Sequence, residues 1–348
     1  MKLAKGLGDF FGLDIGTNAV RVVQLARTSN GWNLLHYGYA PVDPKVTGSD
    51  SPEAQRKLGE VIMTAVGQSG IKTQNVAIGL PSSKTFTAII DVPKVSDQEL
   101  KATMKYQVDQ YIPMAIEDAK VDWALLGDSL REQGQYEVLL TSAAISYVEE
   151  RLEFIERLGF NVIAEEPDPI AMLRALAPTD GATAKLVLDM GEHSTDLAVI
   201  YGDMPRLVRT VPSGLQALVR AAVQNLNVQD DQARQFIVKF GLAPDRLEGQ
   251  VLRAIDGVLD NFATELTKSI KFFQTRYPSI SVSGILLSGF GAAIPMMDKY
   301  ISGKTGIPAA TADPWQHVSL GQADQQKLAP IASEFATVVG LAQRRNGS

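Results

Sequence analysis

The chain has 348 residues, 45% apolar and 21% charged, with a net charge of −6, which allows about two domains with sizeable cores and leaves no basic footprint for nucleic acid. It has no cysteine, which excludes disulfides and thiolate metal sites and fits a reducing compartment. No apolar run approaches the roughly 20 residues that span a bilayer, and residues 1–11 lack the apolar stretch and cleavage site of a signal peptide and read as folded.

The first apolar run delivers Asp14 and then Gly16 to a turn, and a second run covers residues 20–25. That pattern predicts a hairpin with an acid at its mouth. Residues 32–39 continue the sheet. Ser51 and Pro52 start a helix whose apolar face is Leu58, Val61, Ile62, Ala65 and Val66, ending at Gly70. Strands follow at 76–80 and 84–92, the second stopped by Pro93. Ser96 and Glu99 form a capping box for a helix running to about residue 111, before Pro113. Residues 121–126 and 137–145 read as strands, and Ser146 with Glu149 as a second capping box for a helix ending at Gly159. A short helix covers 168–176, and the domain boundary is expected at 178–182. Residues 187–190 and 196–201 then repeat the opening hairpin, with Leu188-Asp189-Met190-Gly191 echoing Leu13-Asp14-Ile15-Gly16. A strand at 206–211, a helix opened by Ser213-Gly214, and another from 229 closed by Gly241 come next. The long helix over 248–276 carries Leu252, Ile255, Leu259, Phe262, Leu266, Ile270 and Phe273 on one stripe, as a helix packed on a sheet does. A buried strand at 285–287 leads to Ser288-Gly289-Phe290-Gly291 and a helix through 297, and the last helix covers 331–344.

Glycine lets a backbone approach a phosphate closely, and the N–H groups beside it can point at oxygens. Thr17, Asn18, Ser194 and Thr195 add side-chain donors, and Glu192 and His193 share the second turn. Asp14 and Asp189 can each hold a Mg²⁺ through water. One Asp-Gly hairpin is an ordinary turn; two indicate a duplicated fold with a ligand cleft between its halves. The element order is doubly wound α/β, in which ligands gather at the carboxyl ends of strands, where Asp14, Asp189 and Gly289 lie. His36 and His317 have no metal-like neighbours in sequence. Ser302-Gly303-Lys304-Thr305 imitates the end of a P-loop, but Asp298 stands where its first glycine is required, so it reads as a decoy.

These stretches resemble the signature of the actin, sugar-kinase and DnaK-type ATPase superfamily. Leu13-Asp14-Ile15-Gly16-Thr17 matches the first phosphate loop, and Leu188-Asp189-Met190-Gly191 with Ser194-Thr195-Asp196 the second. Leu287-Ser288-Gly289-Phe290-Gly291 matches the adenosine loop, and residues 166–175 and 335–341 the two interdomain helices. Within the superfamily the chain resembles the FtsA-related PilM family of type IV pilus assembly. Gln110-Tyr111-Ile112-Pro113 is similar to that family's Gln-Tyr-Ile-Pro-Phe signature, and Asp168-Pro169-Ile170-Ala171-Met172-Leu173-Arg174-Ala175 to its Glu-Pro-Phe-Ala-Leu-x-Arg-Ala helix. Residues 265–273 and 285–295 carry further matches. Three departures stand out: Phe290 replaces a glycine, Ser213 replaces the first of a Gly-Gly pair ending at Gly214, and Arg234 and Ile237 replace a Glu and a Lys that usually reach adenosine.

The resemblance implies an actin-like fold of two duplicated domains: residues 1–178 with 336–348, carrying an FtsA-like insert at about 82–144, and residues 182–335. It implies ATP and Mg²⁺ as ligands, Asp14, Gly16, Thr17, Asn18, Asp189, Gly191, Glu192, His193, Ser194, Thr195, Gly214, Gly289, Phe290 and Gly291 as nucleotide contacts, and Glu166 and Asp168 near the attacking water. Hydrolysis would be slow or absent. It further implies a cytoplasmic scaffold peripheral to the inner membrane, gripping the N-terminal tail of a PilN-like membrane protein in a groove beside the insert, with Val92, Tyr111, Ile112 and Pro113 within reach. Other pilus components are expected partners, nucleic acid and direct membrane insertion are not, and self-association is open. Two alternatives belong to other classes. A small-molecule kinase of this superfamily needs a sugar-site Asp base, for which no clear candidate is readable. An FtsA-like filament protein typically ends in an amphipathic membrane helix, for which the ending Arg344-Arg345-Asn346-Gly347-Ser348 leaves no room.

Overall fold

The computed structural model describes residues 9–29, 31–177, 181 and 183–344. Expectations placed on residues 1–8, 178–180, 182 and 345–348 lie outside them. The chain divides into two units, one holding residues up to Leu176 and again from Pro314, the other Ala177–Asp313.

The first unit runs β1 (Phe11–Ile15), β2 (Ala19–Thr28), β3 (Gly31–Pro41), α1 (Pro44–Thr47), α2 (Pro52–Ser69), β4 (Asn75–Leu80), β5 (Thr85–Pro93), α3 (Asp97–Gln107), β6 (Ala119–Asp128), β7 (Gln135–Ala144), α4 (Ile145–Arg157), β8 (Asn161–Pro167) and α5 (Asp168–Leu176). The second comprises β9 (Ala184–Met190), β10 (Thr195–Tyr201), β11 (Met204–Val211), α6 (Leu215–Leu226), α7 (Asp230–Phe240), α8 (Gln250–Arg276), β12 (Val282–Ser288), α9 (Gly289–Ala293), α10 (Met297–Thr305) and β13 (Ala309–Thr311). The chain then returns to the first unit with β14 (Val318–Ser319), α11 (Gln322–Leu328) and α12 (Ala336–Ala342).

The sheets of the two units repeat one plan. In the first the order is β14-β3-β2-β1-β4-β8, and in the second β11-β10-β9-β12-β13. Each has an antiparallel meander, β1-β2-β3 or β9-β10-β11, whose first strand pairs in parallel with β4 or β12. In the second unit Leu186, Leu188, Leu197 and Val199 pack with Ile255, Leu259, Phe262 and Leu266 of α8, so the stripe read from the sequence is the face laid on a sheet. In the first unit Phe11, Leu13, Val20 and Val22 pack with Leu58, Ile62 and Ala65 of α2. The insert is a separate three-stranded sheet, β5-β7-β6, with α3 covering one face through Leu100 and Met104.

Local signals account for most element ends. The Ser51 hydroxyl accepts the Ala54 N–H at 3.2 Å, and Gly70 closes α2 in the left-handed region. Both halves of the Ser96–Glu99 capping box form. The second expected box does not: β7 runs straight into α4, Ala144 is its cap with no side-chain bond, and Ser146 already lies in the first turn. Leu247 and Glu248 have positive φ, which delays the long helix to Gln250. Met296, with φ of 67°, splits the helix expected after β12 into α9 and α10. The last helix is shorter than expected because residues 329–335 form a 3-10 turn first.

The return to the first unit comes at Pro314, before the expected residue 336. The reason is packing: β14 pairs with β3, and Phe335 sits among the rings of Tyr37, Tyr39 and Trp315. From there α12 enters the unit, every residue from Ala336 to Ala342 buried, and crosses α5. At the crossing a Cβ on Gly340 would overlap the carbonyl oxygen of Ala171. Gly340→Ala should therefore destabilise the unit by about 2 kcal/mol or more and lower its thermal midpoint by about 4 °C or more. Gly67→Ala, in α2 with open space around it, should be neutral or stabilising in the same calorimetric scan.

Candidate functional site

Both hairpins turn in the same way. Gly16 donates its N–H to the Ala19 carbonyl at 3.1 Å, and Gly191 to that of Ser194 at 2.8 Å. In the register, Asp14 faces Arg21 and Asp189 faces Asp196, each pair one step in from the last pair before the turn. The duplication read from the sequence is thus a duplication of backbone geometry.

The side chains differ. Arg21 donates from Nη1 to Asp14 Oδ2 at 3.1 Å and from Nη2 to Glu334, and its guanidinium lies over the Tyr39 ring. Burial pushes the Asp14 carboxyl up, against the pull of Arg21. The two carboxylates hold the Arg21 guanidinium charged despite its own burial. Thr17 and Asn18 sit half-buried at the tip, their carbonyls bonded to the Thr47 hydroxyl at 2.8 Å and the Val42 N–H at 2.9 Å.

The second hairpin is backed by α6. Leu215 and Gln216 donate their N–H groups to the Gly191 and Glu192 carbonyls at 3.0 and 2.9 Å. A Cβ on Gly214 would come within 2.6 Å of the Gly191 oxygen, so this approach needs glycine. Thr195 is buried and donates to the Ser213 carbonyl at 2.7 Å, Ser194 is half-buried and His193 is exposed. Glu192 is buried and takes both guanidinium nitrogens of Arg234, which also reaches Gln216 at 3.1 Å. Arg234, at the position expected to touch adenosine, thus answers a carboxylate of its own unit. Ile237 lies wholly in the core, and Phe290 packs against that core from α9. Gly289 bridges Met190, which sets the start of α9, and with it Gly291, beside the second hairpin.

Among the described residues no three metal-ligating side chains cluster. Each hairpin by itself offers one carboxylate with hydroxyls in its turn, oxygen donors of the kind a hydrated Mg²⁺ takes. The decoy motif lies at the end of α10, where Lys304 pairs with Asp260, and forms no phosphate-binding turn.

Glu166 and Asp168 are tied into packing. Glu166 is buried at the end of β8 and takes both Arg174 nitrogens, at 2.6 and 2.7 Å, and Arg344 at 2.8 Å. Arg174 also donates to the Gly340 carbonyl at 2.7 Å, fastening α5 to α12. Asp168, half-buried, packs against Gly79 of β4.

Beside this cluster, between the insert and β8–α5, lies a groove of about 320 Å³. Its walls are the run 120–124 of β6, Leu139 and Thr141 of β7, 165–167 of β8, and Ile170 with Arg174 of α5. β6 and β8 are both edge strands, and Lys120 crosses from one to Glu165 of the other at 2.8 Å. None of the four residues expected at the partner surface lines it. Val92 and Ile112 belong to the core under α3, while Tyr111 and Pro113 are exposed. Trp123, Leu139 and Ile170 went unread because the groove is assembled from elements distant in sequence; the polar residues alternating along 119–124 were the signal of an edge strand.

Two sheets of one plan, an acid at each hairpin mouth and a three-stranded insert define an actin-like fold. A family model described as type IV pilus assembly protein PilM matches residues 12–346, and the chain belongs to that family. Among solved structures, a PilM-PilN type IV pilus biogenesis complex matches at 24% identity with a TM-score of 0.82, covering 96% of this chain and 97% of that one. The ethanolamine utilization protein EutJ from Carboxydothermus hydrogenoformans matches at 14% identity, TM-score 0.54, over 96% and 88%. MreB 5 of Spiroplasma citri, bound to AMPPNP, matches at 14% identity, TM-score 0.52, over 95% and 94%. These likenesses bear on the fold.

Removing one partner of a buried ion pair leaves an uncompensated charge. Arg21→Met should cost about 3 kcal/mol in urea unfolding, and Asp14→Asn added to it should recover part of the loss. Without Arg21 the Asp14 carboxyl rises further. A carboxyl raised by folding favours the fold below its unfolded value and loses that support as pH climbs through its folded value. The gap between wild type and Arg21→Met should therefore narrow from about pH 8 to about pH 5.

Proposed function

We propose that this chain is a nucleotide-binding scaffold of type IV pilus assembly that holds the N-terminal tail of a PilN-type membrane partner in the groove between the insert and β8–α5. Family membership and the likeness to a PilM-PilN complex support the partner class. The groove itself carries the placement: an extended tail can pair with a strand edge and set apolar side chains against Trp123, Leu139 and Ile170. A tail that is disordered when free loses entropy on docking, so its affinity is modest. No helix among the described residues is long and apolar enough to cross a membrane, so the partner supplies attachment to the inner membrane.

The duplicated hairpins support binding of a Mg²⁺-nucleotide, with Asp14 and Asp189 on the metal's water shell and Thr17, Asn18, Ser194 and the turn glycines on phosphate. The metal would neutralise phosphate charge. Hydrolysis is slow on this reading, because Glu166 has both oxygens occupied by arginines and is not poised to activate water.

Titrating a synthetic N-terminal peptide of the partner should shift Trp123 emission. Trp123→Phe should abolish that signal while calorimetric binding persists, Ile170→Arg should abolish binding, and Tyr111→Ala should leave it intact. Binding untouched by Ile170→Arg would remove the tail from the groove. Asp14→Ala and Asp189→Ala should each weaken Mg²⁺-ATP at least tenfold, about 1.4 kcal/mol, with wild-type turnover below about 1 s⁻¹.

A further inference from the structure

The groove is flanked by two strand edges, and they are not equally open. On the β8 side Glu166 is buried and Pro167 has no N–H to give. On the β6 side Asp122 and Ala124 are exposed, and the run 120–124 forms one wall. Two hydrogen bonds fix which main-chain groups of that run point outward. Asp122 stands opposite Thr141 of β7, and its carbonyl accepts the Thr141 hydroxyl at 3.3 Å. The Trp123 N–H, at the other end of the same peptide unit, points away from β7. It donates to the Asp122 carboxylate, at Oδ1, over 2.8 Å. An antiparallel ladder alternates, so Asp122 and Ala124 direct their main-chain groups to β7, while Val121 and Trp123 present theirs at the free edge.

Side chains alternate as well. Val121 and Trp123 lie against the core under α3. Lys120, Asp122 and Ala124 take the opposite face, from which Lys120 reaches Glu165 of β8. A strand added to β6 is therefore read on two faces. Its residues opposite Val121 and Trp123 lie beside the indole, and the residues between them lie on the side of Leu139 and Ile170. A free edge N–H is a template for any strand. Here the Asp122 carboxylate sits where an incoming carbonyl must sit.

We propose that the bound tail is a fourth strand of the insert, paired with β6 through Val121 and Trp123, and that Asp122 controls the pairing by capping the Trp123 N–H until a tail carbonyl replaces it. This rests on the groove being the tail's site, as proposed above. The cap sets a threshold. A segment that brings a carbonyl but cannot fill both faces gains too little to displace a charge-assisted hydrogen bond.

The test is calorimetric titration of the synthetic N-terminal peptide of the PilN-type partner into wild type, Asp122→Ala and Asp122→Asn, with main-chain amide exchange followed by NMR in the free and bound states. The altered side chain is exposed, so both variants should keep the fold by circular dichroism. Asp122→Ala removes the competitor and should tighten binding about threefold or more. Asp122→Asn keeps an acceptor without the charge and should stay within about twofold of wild type. The Val121 and Trp123 amides should gain protection on binding, and those of Asp122 and Ala124, already bonded to β7, should change little. In free Asp122→Ala the Trp123 amide should exchange faster than in wild type. Tail binding without protection at Val121 and Trp123 overturns the pairing. An Asp122→Ala affinity within about twofold of wild type overturns the cap, as does equal tightening by Asp122→Asn. In each of these cases binding that Ile170→Arg abolishes keeps the tail in the groove, whereas wild type that binds no tail peptide overturns that assignment too.

Discussion

The first unit depends on one buried carboxylate. Glu166 lies in the last step of β8, one residue before its end at Pro167, and the two arginines that answer it come from α5 and from the residues just after α12. Arg174 adds a bond to the Gly340 carbonyl at the point where α12 passes over α5. A buried charge is costly unless paired and bonded, so the position of both helices follows from satisfying Glu166. The close approach that Gly340 permits brings Arg174 within reach. Strand end, helix crossing and one wall of the groove are therefore a single packing solution.

The hairpins show how a duplicated backbone can carry different electrostatics. Asp14 faces Arg21, which joins it to Glu334 in the segment returning to the unit. Asp189 faces Asp196, whose carboxylate accepts the Thr210 hydroxyl at 2.7 Å. The first hairpin holds its own counter-charge. The second places two acids in register and directs its local arginine, Arg234, to Glu192. Divergence in the side chains facing the acids has left turn and register unchanged.

What was legible in the sequence was what local physics controls. The capping box at Ser96, the left-handed stop at Gly70, the stripe on α8 and the two Asp-Gly turns are signals a few residues long, and each forms. The misses have a common cause. Ser146 looked like a cap, but the strand before it ran on to Ala144, a tertiary decision. Residues 314–335 read as part of the second domain because nothing in a two-residue strand or a ring cluster around Phe335 has a period. A groove beside the insert was expected from the resemblance, but not its lining: the walls come from the insert, from β8 and from α5, and a run such as 120–124 carries no mark of what will face it. Tyr111 and Pro113 were legible as a motif, and Val92 and Ile112 as apolar, but only the packing separates surface from core among the four.

The open edge of β6 bears on how copies of this chain behave when crowded. A bare strand edge is a template for any other strand, including the same edge on another molecule. β6 places Lys120, Asp122 and Asp128 at exposed positions, with Lys120 drawn across to Glu165. Charges along an edge and a side chain bridging its mouth make a poor landing strip for a long flat strand. Lys120 and Asp122 of that row also line the groove, so the charges that guard the edge against stacking into fibrils are in part the charges that set the polarity of the groove's mouth.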